Sequence, residues 1–412
     1  MLWSIGLKRF IRHGRLLVTD ADGNEHEFGN AGATPCCAIR LHARSLHWKL
    51  LVNPDLYLGE AYMDGALTMK TGSLYDLLYL FGLNIQDDAV TGAERLFEGA
   101  QRLIQRIFIA IPAASARQNA AHHYDLPDAL YDRFLDGDRQ YSCAYFTHED
   151  VSLEQAQLDK KKHIAAKLLL KPGMRVLDIG CGWGGMALYL AREFGAHVTG
   201  LTLSQEQHKI ACRRATEAGL EHQVAFHLRD YREDKGGYDR IVSVGMFEHV
   251  GLRHYPDFFA QIKALLKPGG VALLHSIGRM DGPGVTNPWL KKYIFPGGYA
   301  PALSEVLPVI ERLGLWATDI EILRLHYAFT LAEWRKRFEA QRAEIAALYD
   351  ERFCRMWEFY LCAAEIDFRL LSTMVFQMQI TRDIKAVPLT RDYMFDVERT
   401  LTHQLEVSHA AA

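Results

Sequence analysis

Val176-Leu-Asp-Ile-Gly-Cys-Gly-Trp-Gly-Gly185 is the stretch that decides the fold. Val176 to Ile179 is a short apolar run carrying one acid, as a buried parallel strand requires. Glycines then alternate at 180, 182 and 184, which suits a turn where a ligand comes close to the main chain. Met186 to Phe194 has the apolar spacing of a helix. The loop reads G-x-G-x-G, so it lacks the third-glycine spacing of the dinucleotide fingerprint, and no G-K-[ST] follows for phosphates. With Asp178 just ahead of it, the loop fits a small, partly cationic nucleoside ligand better than a pyrophosphate. The competing reading is a tight strand-to-helix turn with no ligand at all.

Outward from this stretch the chain alternates helix and strand. A helix is expected from Leu158 to Leu170, closed by Lys171-Pro172-Gly173. Strands are expected at His197–Leu201, Gln223–His227, Asp239–Val244 and Val271–His275, with helices over Ser204–Ala218 and Tyr255–Leu266 and a turn at Lys267–Gly270. Leu331–Leu370 reads as a helical block and Ser372–Thr381 as a late edge strand. This rhythm predicts an α/β fold, a doubly wound and mostly parallel sheet with its ligands at the carboxyl ends of the strands. A seven-stranded Rossmann-like class I methyltransferase core with an inserted helical lid accommodates it, and S-adenosylmethionine is the ligand such a glycine loop would hold.

The chain has 412 residues, which makes two domains the prior. We place a smaller domain at 1–112 and the catalytic one at 113–412. In the first, Gly14–Glu27 reads as a hairpin around Ala21-Asp22-Gly23-Asn24, with Arg15–Thr19 as one strand, Ala38–Leu41 as another and Ser45–Val52 as a further one. Leu74–Phe81 and Leu96–Ile111 have helical spacing. A formal net charge of −3 gives no basic field for nucleic acid. Residues 1–50 are nonetheless basic, with seven Lys/Arg against four acids, and Arg102–Arg117 contains no acid. The basic patch of residues 1–50 and the Leu96–Arg117 stretch are the candidates for contact with anionic lipid, the competing reading of the latter being a helix packed on its own domain. Seven cysteines without a C-x-x-C pair point to reduced thiols rather than disulfides or a metal site, and no apolar run spans a membrane.

Polar groups at three neighbouring strand ends suggest a site: Asp178, then Glu248 and His249 in GMFEHVG, then His275 in LLHSIG. Each also has a structural reading, His275 as a buried imidazole and Glu248 as an acid favoured at a helix start. His122–Asp125 and Tyr141–Phe146 concentrate polar aromatics upstream, Lys291–Gly298 resembles a turn-containing lid, and His326-Tyr327 follows a sixth strand.

Taken together, HHYDLPDALYDRFLD, YSCAYF, KPGMRVLDIGCGWGG, VTGLTLSQEQ, DRIVSVGMFEHVG, LLHSIG, KYIFPGG, HYAFTL and RMWEFYL resemble the cyclopropane-fatty-acyl-phospholipid synthase family, which includes the mycolic acid cyclopropane synthases. The resemblance implies S-adenosylmethionine as cofactor, held by Tyr141, Ser142, Asp178, Gly180, Gly182, Thr202, Leu203, Gln207 and Tyr231. It implies a bound bicarbonate ion as general base, held by Cys143, Glu248, His275, the main chain of Ile277, and Tyr327. The substrate it implies is an unsaturated phospholipid acyl chain, methylenated across its cis double bond, in a channel lined by Tyr145-Phe146, Met246-Phe247, Tyr293-Ile294-Phe295 and Phe376. It further implies a homodimer in the cytoplasm, peripheral to the inner face of the membrane, and no metal. Two alternatives stay open. One is a methyltransferase of the same fold that leaves a methyl branch or methylates a small-molecule amine; the other is a non-catalytic lipid-binding protein that has kept the cofactor fold.

Overall fold

The structure, a computed structural model, describes residues 2–87 and 128–410. The expected helix at Leu96–Ile111, the boundary at 112 and the His122–Asp125 cluster lie outside the described residues. The chain forms two compact units, and they interleave along the sequence. The first takes 2–87, Val285–Pro296 and Tyr327–Thr373, and the second takes 128–284, Gly297–His326 and 374–410.

In the first unit, strands β1 (Arg15–Thr19), β2 (Glu25–Gly29), β3 (Cys36–Leu41) and β4 (Leu67–Thr71) form a sheet in the order β2-β1-β3-β4. The expected hairpin is there, with Thr19 opposite Glu25. Its turn is tied by the buried Asp20, whose Oδ1 accepts from the amides of Asp22 (3.0 Å) and Asn24 (2.8 Å). Ser45–Val52 is a helix and not the strand we expected. Leu46 and Leu50, four residues apart, pack on the unit's core while Trp48, Leu51 and Val52 face solvent, so the burial period is helical rather than alternate. The expected helical block appears as three helices, His326–Ala340, Arg342–Leu348 and Glu351–Leu370, which pack within this unit together with Pro288–Tyr293. Trp289 of the last is buried over Gly59, where a Cβ would lie 2.5 Å from the indole nitrogen.

The second unit is built on a seven-stranded sheet in the order β10-β11-β9-β8-β5-β6-β7. Its members are β5 (Arg175–Ile179), β6 (His197–Thr202), β7 (Val224–Leu228), β8 (Tyr238–Val244), β9 (Leu266–Arg279), β10 (Trp316–Leu323) and β11 (Thr373–Thr381). β5 to β9 pair in parallel, while β10 and β11 are antiparallel. Leu177, Ile241 and Ala272 enter one core, and their neighbours Val176, Val242 and Leu273 enter the other. Burial on both faces is why these strands read as unbroken apolar runs. The expected Lys267–Gly270 turn is a bulge within β9, between Leu266 opposite Tyr238 and Val271 opposite Arg240.

β11 is not the edge strand we expected. It lies between β10 and β9, and the edge falls to β10. Its alternation is real: Met374, Phe376, Met378 and Ile380 pack in the core. The other face carries Gln377 and Gln379, and both are buried. They meet Lys167 on the Leu153–Leu168 helix, through its ammonium (2.7 Å) and its carbonyl (2.5 Å) respectively. Polar alternation signalled an internal hydrogen-bonded seam here, not solvent.

Candidate active site

The strand order reverses at β5, which sends β6 and β7 to one side and β8 and β9 to the other. Such a switch point opens a crevice at the carboxyl ends of the strands. A cleft lies there. Its floor is the glycine loop: the amides of Gly180 and Cys181 both donate to the Leu201 carbonyl at 2.9 Å, bending the chain off β5. Gly180 sits at φ +80°, and a Cβ there would press within 2.8 Å of Met246. Gly182, at φ +54°, has nothing within 4 Å of where a Cβ would lie, so its main chain borders open space.

The end of β6 supplies a second wall. Thr202 Oγ1 donates to Gln207 Oε1 at 2.9 Å and accepts from Ser204 N at 3.2 Å, and Ser204 Oγ caps the following helix at Gln207 N. These neutral groups stand where an acid would bind a ribose in dinucleotide folds. Tyr231 follows β7, with its ring edge-on to Phe258 and burial raising its hydroxyl pKa. Tyr141 and Ser142 come from the segment after Asp128–Phe134. Tyr141 lies edge-on to Tyr131, which also meets Trp183 of the glycine loop.

Two ionisable groups set the electrostatics. Asp178 is 2% exposed, and its Oδ2 has no hydrogen-bond partner among the described residues. Burial pushes its pKa up to about 7, against the nearby charge of Lys160. Lys160 is fully buried; it donates to Gln140 Oε1 (2.6 Å) and Ser142 Oγ (2.8 Å), and burial lowers its pKa to about 8. Nothing in the sequence around it marks this lysine as part of a site. Lys160, Lys161 and Lys162 form a run that ordinarily marks a solvated face, yet all three are buried, with Lys161 on Asp138 (2.5 Å) and Lys162 on Asp159 (3.0 Å).

All nine residues expected to hold the cofactor line this one cleft, with His249 and Met246 beside them. His249 is neutral at working pH, because burial drops its pKa to about 4. The other expected set is not in the cleft wall. Cys143, Glu248, His275 and Ile277 all lie in the second unit, on or beside segments that bound the cleft. Cys143 is buried, with Sγ 3.3 Å from the Ala144 carbonyl. Glu248, in a short 3-10 turn after β8, accepts from Ile277 N at 2.6 Å through Oε1. Burial pushes its pKa up to about 7, partly offset by that amide. His275 is 2% exposed, and burial with the nearby Lys160 and Lys167 charges drives its pKa well down, so it is neutral. Its Nδ1 is 3.2 Å from Gln377 Nε2. Tyr327 belongs to the first unit, where its ring packs on Trp334 and Phe368. Of the expected channel residues, Phe247 and Phe376 are fully packed core, and Tyr145 is stacked between His163 (4.1 Å) and His326 (4.7 Å).

A buried carboxylate lacking a donor, a glycine floor and a neutral amide-hydroxyl wall together fit a cationic nucleoside. Comparison with known proteins agrees. The family described as mycolic acid cyclopropane synthetase matches residues 113–378, and a domain of unknown function matches 9–85. The cyclopropane-fatty-acyl-phospholipid synthase of Escherichia coli (strain K12) is 39% identical over 349 residues, 84% of this chain and 88% of that one. A protein named probable fatty acid methyltransferase from Pseudomonas putida is 41% identical over 357 residues, 84% of this chain and 86% of its own. The crystal structure of mycolic acid cyclopropane synthase CmaA1 complexed with SAH and CTAB superposes with a TM-score of 0.61 at 32% identity, covering 64% of this chain and 98% of that one.

Proposed function

This chain belongs to the mycolic acid cyclopropane synthetase family, and from that premise we propose that it is an S-adenosylmethionine-dependent transferase that converts cis double bonds in phospholipid acyl chains to cyclopropanes. The observation that carries the reading is the convergence of Tyr141, Ser142, Asp178, Gly180, Gly182, Thr202, Leu203, Gln207 and Tyr231 on one cleft. In this reading those residues hold the cofactor, which supplies an electrophilic methyl group. Asp178, short of a donor in the cleft, faces a cationic ligand and is held ionised by it.

An alkene is an uncharged, weak nucleophile, and its methylation leaves a carbocation that must lose a proton to close the ring. Cys143, Glu248, His275 and the Ile277 amide, all of the second unit, are proposed to hold a bicarbonate ion, which would supply the base there. Glu248 suits such a place. Its Oε2 has no partner among the described residues, and a pKa near 7 lets it hold or yield a proton at that atom. A neutral His275 adds a donor without adding a full charge beside the developing cation.

The substrate lies in a bilayer, so the protein must meet one, and we propose a cytoplasmic homodimer at the inner membrane face. No helix among the described residues is long and apolar enough to cross a membrane. The first unit offers a surface contact instead: Trp48, Leu51 and Val52, spaced at i, i+3 and i+4, are exposed beside Lys49.

Mass spectrometry of phospholipid fatty acids decides the reaction, after incubation of the protein with S-adenosylmethionine and vesicles rich in cis-unsaturated chains. A gain of about 14 mass units that resists hydrogenation marks a ring. The same gain yielding a saturated branched chain would assign a methyl-branching enzyme, the reading that the Pseudomonas putida relative favours. No gain would turn attention to amines.

A further inference from the structure

We propose that Lys167 and Gln377 form a relay that fixes the His275 imidazole in its Nε2–H tautomer, and so makes His275 a hydrogen-bond donor toward the reacting centre. The inference rests on the reading above, in which His275 donates to a bound anion; what it adds is the pair of positioning residues that decide which ring nitrogen donates.

The logic is one of donors and acceptors. The Lys167 ammonium has three donors and no acceptor. It meets Gln377 at 2.7 Å, so the amide oxygen of Gln377 must face it. The amide NH2 then points the other way, to His275 Nδ1 at 3.2 Å. An NH2 group only donates, so Nδ1 must accept, and a neutral imidazole carries its single proton on Nε2. Burial and the neighbouring Lys160, Lys167 and His163 charges hold the ring neutral, which makes the choice binary.

The relay is built, not incidental. Lys167, Gln377 and His275 are 1%, 0% and 2% exposed, so no water competes for these bonds. β11 lies beside β9 in the sheet, which sets Gln377 next to His275, and the Leu153–Leu168 helix lays Lys167 across β11. Glu321 anchors the far end: its Oε2 accepts from Lys167 and also from His163 Nε2 at 2.6 Å. An uncharged amide buried between a lysine and a histidine costs stability unless every group is paired. Here it separates a cation from an imidazole and transmits only orientation.

The test is a ¹⁵N spectrum of histidine-labelled, full-length protein, with the His275 signals identified by their loss in His275→Gln. The expected wild-type spectrum has Nε2 protonated and Nδ1 bare. Gln377→Glu keeps the shape and the Lys167 contact but offers His275 only an acceptor. It is expected to move the proton to Nδ1 and to lower kcat about 100-fold, with the KM for S-adenosylmethionine within about twofold. A wild-type Nδ1–H spectrum overturns the relay, and that spectrum decides alone if Gln377→Glu fails to fold. A Gln377→Glu protein that keeps its Nε2 proton yet loses kcat also overturns it. Full activity in His275→Gln overturns instead the reading of His275 as a donor, whatever its tautomer.

Discussion

The Ile277 amide donates to Glu248 Oε1 across 2.6 Å, while Glu248 Oε2 meets no donor among the described residues. The amide ties the turn after β8 to the end of β9. The neighbouring Ser276 hydroxyl donates to the Ile277 carbonyl (3.0 Å) and, with the Ile277 amide, partly offsets the effect of burial on the carboxyl. The carboxyl is thus held in place by one oxygen and left chemically available at the other.

Glu248→Gln should keep the Ile277 bond and lose the proton-exchanging oxygen. We expect kcat to fall about 10²- to 10⁴-fold, with SAH affinity unchanged by calorimetry. The wild-type rate should fall as pH drops below about 7, and any residual Glu248→Gln rate should lack that limb. Stability runs the opposite way. The folded pKa of Glu248 lies above its usual 4.5, so its contribution is fully present below 4.5 and lost as pH rises through about 7. Glu248→Gln should therefore gain on the wild type between pH 5 and 8, by up to about 3 kcal/mol in denaturant melts. Full activity would remove the acid from the chemistry.

Gly180→Ala places a Cβ 2.8 Å from Met246 at a φ of +80°. Both the contact and the backbone angle oppose it, so we expect a loss of about 1–3 kcal/mol. Met246 would shift into the cleft, and SAH binding should weaken at least tenfold. An alanine variant that binds SAH normally would show that the loop floor does not border the cofactor.

Lys160→Met removes the charge that restrains the Asp178 pKa. Asp178 should then be more protonated at pH 7, and S-adenosylmethionine should bind several-fold more weakly. Raising the pH to about 8.5 should recover most of that loss by re-ionising the carboxyl. Affinity at pH 7 equal to that of the wild type would separate Lys160 from the cofactor.

Trp48→Ser combined with Leu51→Ser leaves the first unit's core untouched, since both side chains face solvent. Sedimentation with anionic vesicles should drop several-fold, and activity on detergent-dispersed lipid should stay near normal. Undiminished vesicle binding would move the membrane contact elsewhere on the chain.

The sequence spoke most clearly where burial was two-sided. β5, β6 and β8 were legible within a residue or two, because a strand covered on both faces has no option but an apolar run, and the edge strand β7 was legible through its alternation of buried Val224 and Phe226 with exposed neighbours. The cofactor wall was legible through motif resemblance, residue by residue. Three features were not. Ser45–Val52 has apolar residues at spacings that suit either period, and its tertiary packing chose the helix. Gln377 and Gln379 mimic a solvent-facing alternation because their partners, the Lys167 side chain and carbonyl, sit some 210 residues away. Lys160 to Lys162 give no sign of burial, since the carboxylate, amide and hydroxyl that receive them are scattered over 138–159.

The interleaving of the two units has a consequence for how the protein is made. The four-stranded sheet leaves the ribosome first, but the Glu351–Leu370 helix that completes its unit is translated only after most of the seven-stranded sheet. At about 5–20 residues per second the amino-terminal piece waits on the order of tens of seconds for its own last helices. During that interval Gly59 and Tyr62, which meet Trp289 and Phe359 in the finished unit, lack those partners, and apolar surface left open in this way exposes a nascent chain to aggregation.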